Sequence, residues 1–262
     1  MIGTINLDNL ILDKISQTVE ITGIESKQYI DIDGLIIDWV GKEHDRFVDQ
    51  VKATDHYVRK RIPIVVYDRY MRITIKEYEW LSKFHVKFFE PRLIHRYGFS
   101  YLPQWQNFID LSFLESNDNR PIDIAYDGPT IDSIEKYYTS YMDKYPDRKI
   151  SFGGGDPVDW DQVKFYVAIG SRNDYSQGYL SESVFEAMKH GCMVLLPYEH
   201  KYFHCMFRHD IVTDIDIMEY FISTFTQTMR EDAIYGVYRS ITEHYQEFTI
   251  DYAVDKLLGA LK

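Results

Sequence analysis

Gln177-Gly178-Tyr179-Leu180-Ser181-Glu182-Ser183-Val184-Phe185-Glu186-Ala187-Met188-Lys189-His190-Gly191-Cys192-Met193-Val194-Leu195-Leu196-Pro197 is the stretch whose reading decides the fold. It opens on a polar loop and continues as a helix over Leu180–His190. Gly191 closes that helix in the C′ position, where a left-handed backbone is needed. Met193 to Leu196 is then an unbroken apolar run, stopped by Pro197, as expected of a strand buried on both faces. Loop, helix, glycine and buried strand make up the second half of a βαβ unit. The first half is Phe165-Tyr166-Val167-Ala168-Ile169.

The same grammar extends outward in both directions. Ile122–Tyr126 reads as a strand, Ile131–Tyr145 as a helix stopped by Pro146, and Lys149–Phe152 as a strand running into Gly153, Gly154 and Gly155. Before a polar, turn-rich segment at residues 112–121, a second series appears. Gly34–Val40, Ile62–Tyr67 and Val86–Phe89 are β-branched or aromatic runs. His44–Arg61 separates the first pair with near-helical spacing of Phe47, Val51, Ala53 and Val58. Thr74 with Glu77 three residues later forms a capping box opening a helix toward Phe84. Alternating strands and helices predict parallel sheets covered on both faces. The expectation is therefore an α/β chain of two doubly wound, Rossmann-like units facing a cleft. The N-terminal unit spans residues 1–111 and is short, and the C-terminal unit spans 122–262 and ends in helices.

Composition sets the outer bounds. With 45% hydrophobic and 27% charged residues, the 262-residue chain is an ordinary globular sequence. No run of about 18 apolar residues suggests a membrane span. Met1–Asn6 lacks the basic and apolar regions of a secretory leader. Two cysteines, Cys192 and Cys205, make no disulfide framework and fit a reducing, cytoplasmic setting. The net charge of −12 argues against a polyanionic partner, but its distribution is uneven. Residues 52–100 hold eleven bases: Lys52, Arg59, Lys60, Arg61, Arg69, Arg72, Lys76, Lys83, Lys87, Arg92 and Arg96. Against them stand five acids, Asp55, Asp68, Glu77, Glu79 and Glu90, so this one block is net positive. It is either a solvated face or a surface for an anion.

Several chemistries lack their motifs. There is no P-loop, no G-x-G-x-x-G after a strand, no H-E-x-x-H and no G-x-S-x-G. His190, Cys192, His200, His204, Cys205 and His209 cluster in sequence, but their spacing matches no standard zinc pattern, so no metal is expected.

The 177–197 segment resembles the donor-binding segment of glycosyltransferases with the GT-B fold. In that family a loop enters a helix of the form (F/L)-E-A-(M/L)-x-x-G, followed by a hydrophobic strand; Phe185, Glu186, Ala187, Met188 and Gly191 match that core. The likeness covers about residues 120–200 in motif and the rest in architecture. It implies a nucleoside-diphosphate sugar as donor substrate and no metal or other cofactor. It also implies that Glu186 binds the ribose hydroxyls. Ser181 at the helix start, with Tyr179 and Gly178, would approach the diphosphate. Gly153 and Gly154, read on their own with Gly155, either approach a phosphate with bare backbone or form a loop that needs positive φ. Arg172 would stabilise the departing diphosphate, with Lys164 as the second candidate. For an inverting route, Asp68, which follows the Ile62–Tyr67 strand, is the candidate general base. Gly178 stands where many retaining members carry a second glutamate, so the stereochemistry stays open.

The basic block falls in the unit expected to hold the acceptor, making Arg59, Lys60, Arg61, Arg69 and Arg72 candidate acceptor-binding residues. The small, tyrosine- and phenylalanine-rich chain also resembles, in composition, phage glycosyltransferases acting on hydroxymethylated DNA bases in the host cytoplasm. Tyr67, Tyr70, Trp80, Tyr97, Tyr101 and Trp105 would stack on an extruded base. The alternatives are a non-catalytic nucleotide- or nucleic-acid-binding protein of this fold, and a nucleotide-sugar epimerase of the same fold.

Overall fold

The computed structural model describes residues 1–24, 29–104, 119–126, 139–152, 158–168, 176–197, 202–203, 211–212 and 215–262. The chain divides into two compact units, Met1–Asn107 with Glu247–Lys262, and Phe108–Gln246.

The first unit is a six-stranded parallel sheet built from β1 (Ile2–Ile5), β2 (Ile21–Gly23), β3 (Gly34–Asp38), β4 (Ile64–Tyr67), β5 (Val86–Glu90) and β6 (Phe99–Tyr101), in the order β2-β1-β3-β4-β5-β6. Helices α1 (Asn9–Ser16), α2 (Phe47–Arg59) and α3 (Ile75–Leu81) connect successive strands. Alternating side chains of the sheet enter two separate cores, as the pleat requires. Leu35, Ile37, Ile64, Val66 and Phe88 pack with Ala53, Tyr57 and Val58 of α2 and Leu81 of α3. Ile36, Val65, Tyr67 and Phe89 pack with Ile11 and Ile15 of α1 and with Ile250, Ala253, Val254 and Leu257. The latter four belong to the last helix, α7 (Ile250–Ala260). The sequence pattern assigns the closing helices to the C-terminal unit; α7 instead completes the first one. α1 alone spans eight residues and is too short to cover that sheet face, so α7 supplies the missing apolar stripe.

The second unit is a five-stranded parallel sheet of β7 (Ile122–Tyr126), β8 (Ile150–Phe152), β9 (Val163–Val167), β10 (Met193–Pro197) and β11 (Ile211–Val212), in the order β11-β10-β9-β7-β8. Read from β8, this is the same winding as the first unit from β2 to β5: second strand outside the first, then third, fourth and fifth on the other side. Helices α4 (Glu182–Lys189), α5 (Ile215–Thr224) and α6 (Gln227–His244) belong here. Ile124, Phe165, Val167, Met193 and Leu195 form one core with Tyr141, with Met218 and Ile222 of α5, and with Ala233 of α6.

The elements expected from the sequence are present with shifted ends. The capping box forms as expected, Thr74 Oγ1 accepting from Glu77 N at 3.3 Å while Thr74 N donates to Glu77 Oε2 at 2.7 Å, but α3 ends at Leu81 rather than near Phe84. The helix expected over His44–Arg61 is α2, and the one over Leu180–His190 is α4. Residues 139–144 are helical, in agreement with the later part of the expected Ile131–Tyr145 helix. Most of the 112–121 boundary segment, and the Gly153–Gly155 triplet, lie outside the described residues. β1, α1, β2, β6 and β11 come without a sequence expectation. Among the described residues no helix is long and apolar enough to cross a membrane.

Candidate functional site

In open parallel sheets, ligands bind beyond the carboxyl ends of the strands, at the point where the winding reverses. In the second unit the crossover from β9 through α4 to the parallel β10 puts the amino end of α4 on that side. Gly178 takes φ +65° just before it, a conformation that favours glycine. Ser181 occupies the N-cap position with extended backbone (φ −71°, ψ 153°), yet its hydroxyl makes no capping bond among the described residues. The N-caps Asp8, Thr74, Thr226 and Thr249 accept from first-turn amides, whereas Arg46 at the head of α2, like Ser181, makes no side-chain cap. Val184 N donates to Ser181 O at 3.2 Å, so the amides of Glu182 and Ser183 are the two at the head of α4 without a bond among the described residues, in the positive field of the helix end. Gly191 closes the helix at φ +75°, its N–H donating to Met188 O at 2.9 Å. Tyr179 is engaged by neighbouring groups.

Glu186 lies in the second half of α4 with 43% of its side chain exposed. Its carboxylate pairs with Lys189 Nζ at 3.2 Å and His190 Nε2 at 3.3 Å, and the opposite ring nitrogen of His190 meets Asp161 Oδ1 at 2.8 Å. These partners come from the carboxyl end of the helix. Such half-exposed pairs contribute roughly 0–1 kcal/mol each. Two charge-assisted hydrogen bonds to hydroxyls, at about 1.5–3 kcal/mol each, are enough to displace them. Lys164 is held by Asp123 at 2.8 Å, near the amino ends of β7 and β9. Arg172, Gly153 and Gly154 lie outside the described residues.

In the first unit, polar residues close each central strand. Asn6 follows β1 at φ +59° and donates to Gln50 Oε1 at 2.9 Å, while Gln50 also bonds both backbone groups of Val40. Arg69 is 8% exposed and bridges Asp8 (2.6 Å) and Asp38 (3.2 Å). Burial opposes the charge on Arg69, but Asp38, Tyr67 and Asp8 outweigh it and raise its pKa. Asp68 has no exposed surface. It accepts from Arg72 N (2.6 Å), Ile73 N (3.0 Å) and Arg96 Nη2 (2.5 Å). Burial raises its pKa, against the opposing pull of Arg96 and the two amides. Arg96 reaches further, to the fully buried Glu90 (Nε to Oε2, 2.7 Å), which Arg92 also binds at 2.7 Å. The carboxylate of Asp68 thus braces the 68–73 loop and is enclosed in an Asp–Arg–Glu–Arg network rather than presented to solvent.

The expected basic surface divides in two. Beyond the carboxyl ends of β4 and β5, Arg69, Arg92 and Arg96 are paired as above, and Arg72 pairs with Glu43. At the amino side, Arg59 pairs with Asp55 (2.8 Å) and Lys60 with Asp31 (2.9 Å). Arg61 is exposed at φ +60°. Of the stacking candidates, Tyr67 is fully buried, Tyr70 and Tyr97 are exposed, and Trp105 lies outside the described residues. Sequence reasoning missed Asn6, Asp8, Asp38, Gln50, Glu90 and Arg96. For Asn6, Asp38 and Glu90 the available signal was the first polar residue after an apolar run, which marks a strand's carboxyl end; Asp8, Gln50 and Arg96 carry no such signal.

Among the described residues no group of three or more His, Cys, Asp or Glu could hold a metal. Cys192 is buried, its thiol pushed up to about 12 by that burial. The Arg120 guanidinium next to it donates to the carbonyls of Val163 (2.7 Å) and His190 (2.5 Å). His200, His204, Cys205 and His209 lie outside the described residues.

No protein-family model matches the chain. No curated protein matches it either. Among solved structures, the pneumococcal O-GlcNAc transferase GtfA, determined in complex with UDP and GlcNAc, is similar over 87% of this chain, with 11% identity and a TM-score of 0.44. The chain spans 56% of that relative's length.

Proposed function

We propose that the protein is a metal-independent glycosyltransferase of GT-B type that binds a nucleoside-diphosphate sugar on its second unit. The observation that carries this reading is the head of α4: a helix amino terminus beyond the carboxyl end of a parallel strand, preceded by Gly178 at positive φ and left uncapped by Ser181. A diphosphate would take the amides of Glu182 and Ser183 there. Glu186 would exchange Lys189 and His190 for the ribose hydroxyls, and Arg172 would face the leaving group. In the transfer, an acceptor oxygen bonds to the anomeric carbon as the bond to the diphosphate breaks. The diphosphate leaves with the electron pair, and the acceptor proton passes to a base.

The finer acceptor reading is a hydroxymethylated base in phage DNA. The carboxyl-edge cations Arg69, Arg72, Arg92 and Arg96 are already neutralised, so they offer little to a phosphate backbone. A non-catalytic nucleotide-binding protein is the second reading, favoured by the enclosure of Asp68. The deciding experiment is calorimetry of the full chain with a panel of nucleoside diphosphates and their sugars, followed by diphosphate release. Binding that weakens at least tenfold in Glu186→Ala supports the donor site. Turnover distinguishes the enzyme from the binding protein. Equal binding by native protein and Glu186→Ala removes Glu186 from the site.

A further inference from the structure

Three cations of the first unit that make no ion pair among the described residues, Arg61, Lys83 and Lys87, lie together at one sheet edge, whereas Lys42, Arg46, Lys52 and Lys76 are exposed elsewhere. Residues 59–63 lead into β4 and residues 82–87 lead into and begin β5, and these strands are neighbours, Ile64 pairing with Val86 and Ile64 N donating to His85 O at 3.1 Å. The two segments carry Arg59, Lys60, Arg61, Lys83 and Lys87, with His85 and no acid of their own. All six side chains are exposed, and Phe84 beside them is 39% exposed. Arg59 and Lys60 have structural explanations in Asp55, Asp31 and the negative end of α2. Arg61, Lys83 and Lys87 make no ion pair among the described residues. Arg61 sits just past the end of α2 in the left-handed region, where glycine would be unstrained. The fold thus keeps a charge at a position whose backbone disfavours it.

We propose that this amino edge of β4 and β5 is a docking surface for the phosphodiester backbone of a nucleic acid. It lies at the opposite end of the strands from the Asp68–Arg96–Glu90 network, so it tethers a strand rather than presenting it for reaction. Exposed cations beside an aromatic ring suit a phosphate chain with stackable bases. A linear polyanion also touches this patch alone, because charges beyond about 8–10 Å are screened at physiological salt. A flat anionic membrane would also meet the exposed carboxylates Asp31 and Asp33 at the amino end of the neighbouring β3. The inference does not rest on the glycosyltransferase reading, since its test measures binding alone.

The experiment is fluorescence anisotropy of the full chain with labelled duplex DNA and with single-stranded RNA, over 20–200 mM salt (a range of about one decade). Binding should weaken with salt. Arg61→Gly/Lys83→Ala/Lys87→Gln should lower affinity at least tenfold at the lowest salt and reduce the log–log salt slope by about 3, one phosphate contact being worth roughly 0.9. Arg61→Gly alone should weaken binding while melting no earlier than the native chain, which separates a lost contact from a lost fold. Lys76→Ala, on α3, should bind as the native protein does. Salt-independent or absent binding of both nucleic acids overturns the proposal. So does an equal loss in Lys76→Ala, or equally tight binding to polyglutamate or to phosphatidylserine vesicles.

Discussion

Arg96 is the residue whose loss the first unit should feel most. Arg96→Met keeps much of the side-chain volume and removes the guanidinium. Asp68 loses its 2.5 Å partner but keeps two backbone amides, and Glu90 loses Nε but keeps Arg92 and the amide of residue 96. The Ile73 carbonyl loses a donor at 3.0 Å, and the contact over the Phe99 ring at 4.1 Å goes too. Breaking a buried pair costs about 3–5 kcal/mol, and the retained donors put this case near the lower end, at about 3 kcal/mol. That corresponds to a fall in Tm of about 12 °C for a unit of about 120 residues. The sign with pH follows from Asp68. Its folded pKa is raised from 3.8, so the native protein binds more protons than the unfolded chain above pH 3.8, and stability falls as pH rises through that interval. Without Arg96 the carboxyl is raised further, and the interval widens upward. The deficit of the variant should therefore be largest at pH 7 and shrink toward pH 4. Urea unfolding at several pH values reads both quantities. A variant within 1 kcal/mol of native at pH 7, or a deficit that grows on acidification, would refute the assignment of Arg96 as the charge holding two buried carboxylates.

Leu257→Ala removes a fully buried side chain of α7 and should cost about 2–5 kcal/mol. Hydrogen exchange should show the loss in β3, β4 and α1, and a loss confined to β7, β9 and β10 would contradict the placement of α7. Cys192 should resist alkylation at pH 8 in the native protein and react fully in denaturant, as peptide mapping by mass spectrometry would show, because burial holds its thiol near 12.

The 177–197 segment was legible because each of its signals is local: a periodic helix, a glycine at C′ and an apolar run. Thr74 and Glu77 were legible for the same reason. The ion pairs were not, because their partners are remote in sequence. Arg69 meets Asp8, Lys60 meets Asp31 and Arg72 meets Glu43, so the charge of residues 52–100 taken alone overstates the exposed cation. α7 was misassigned because a helix carries its apolar stripe in its own sequence but not the identity of the sheet it covers. β1, with only four residues and a glycine among them, gave too short a pattern to separate from a loop.

The return of α7 to the first unit has a consequence during synthesis. About 150 residues separate the end of β6 from the start of α7. At 5–20 residues per second, the ribosome needs roughly 7–30 s to make that stretch. For that time Ile36, Val65 and Phe89 lack the helix that covers them. The first unit therefore waits with an apolar sheet face open until residues 250–260 have been made, although its six strands are complete by residue 101.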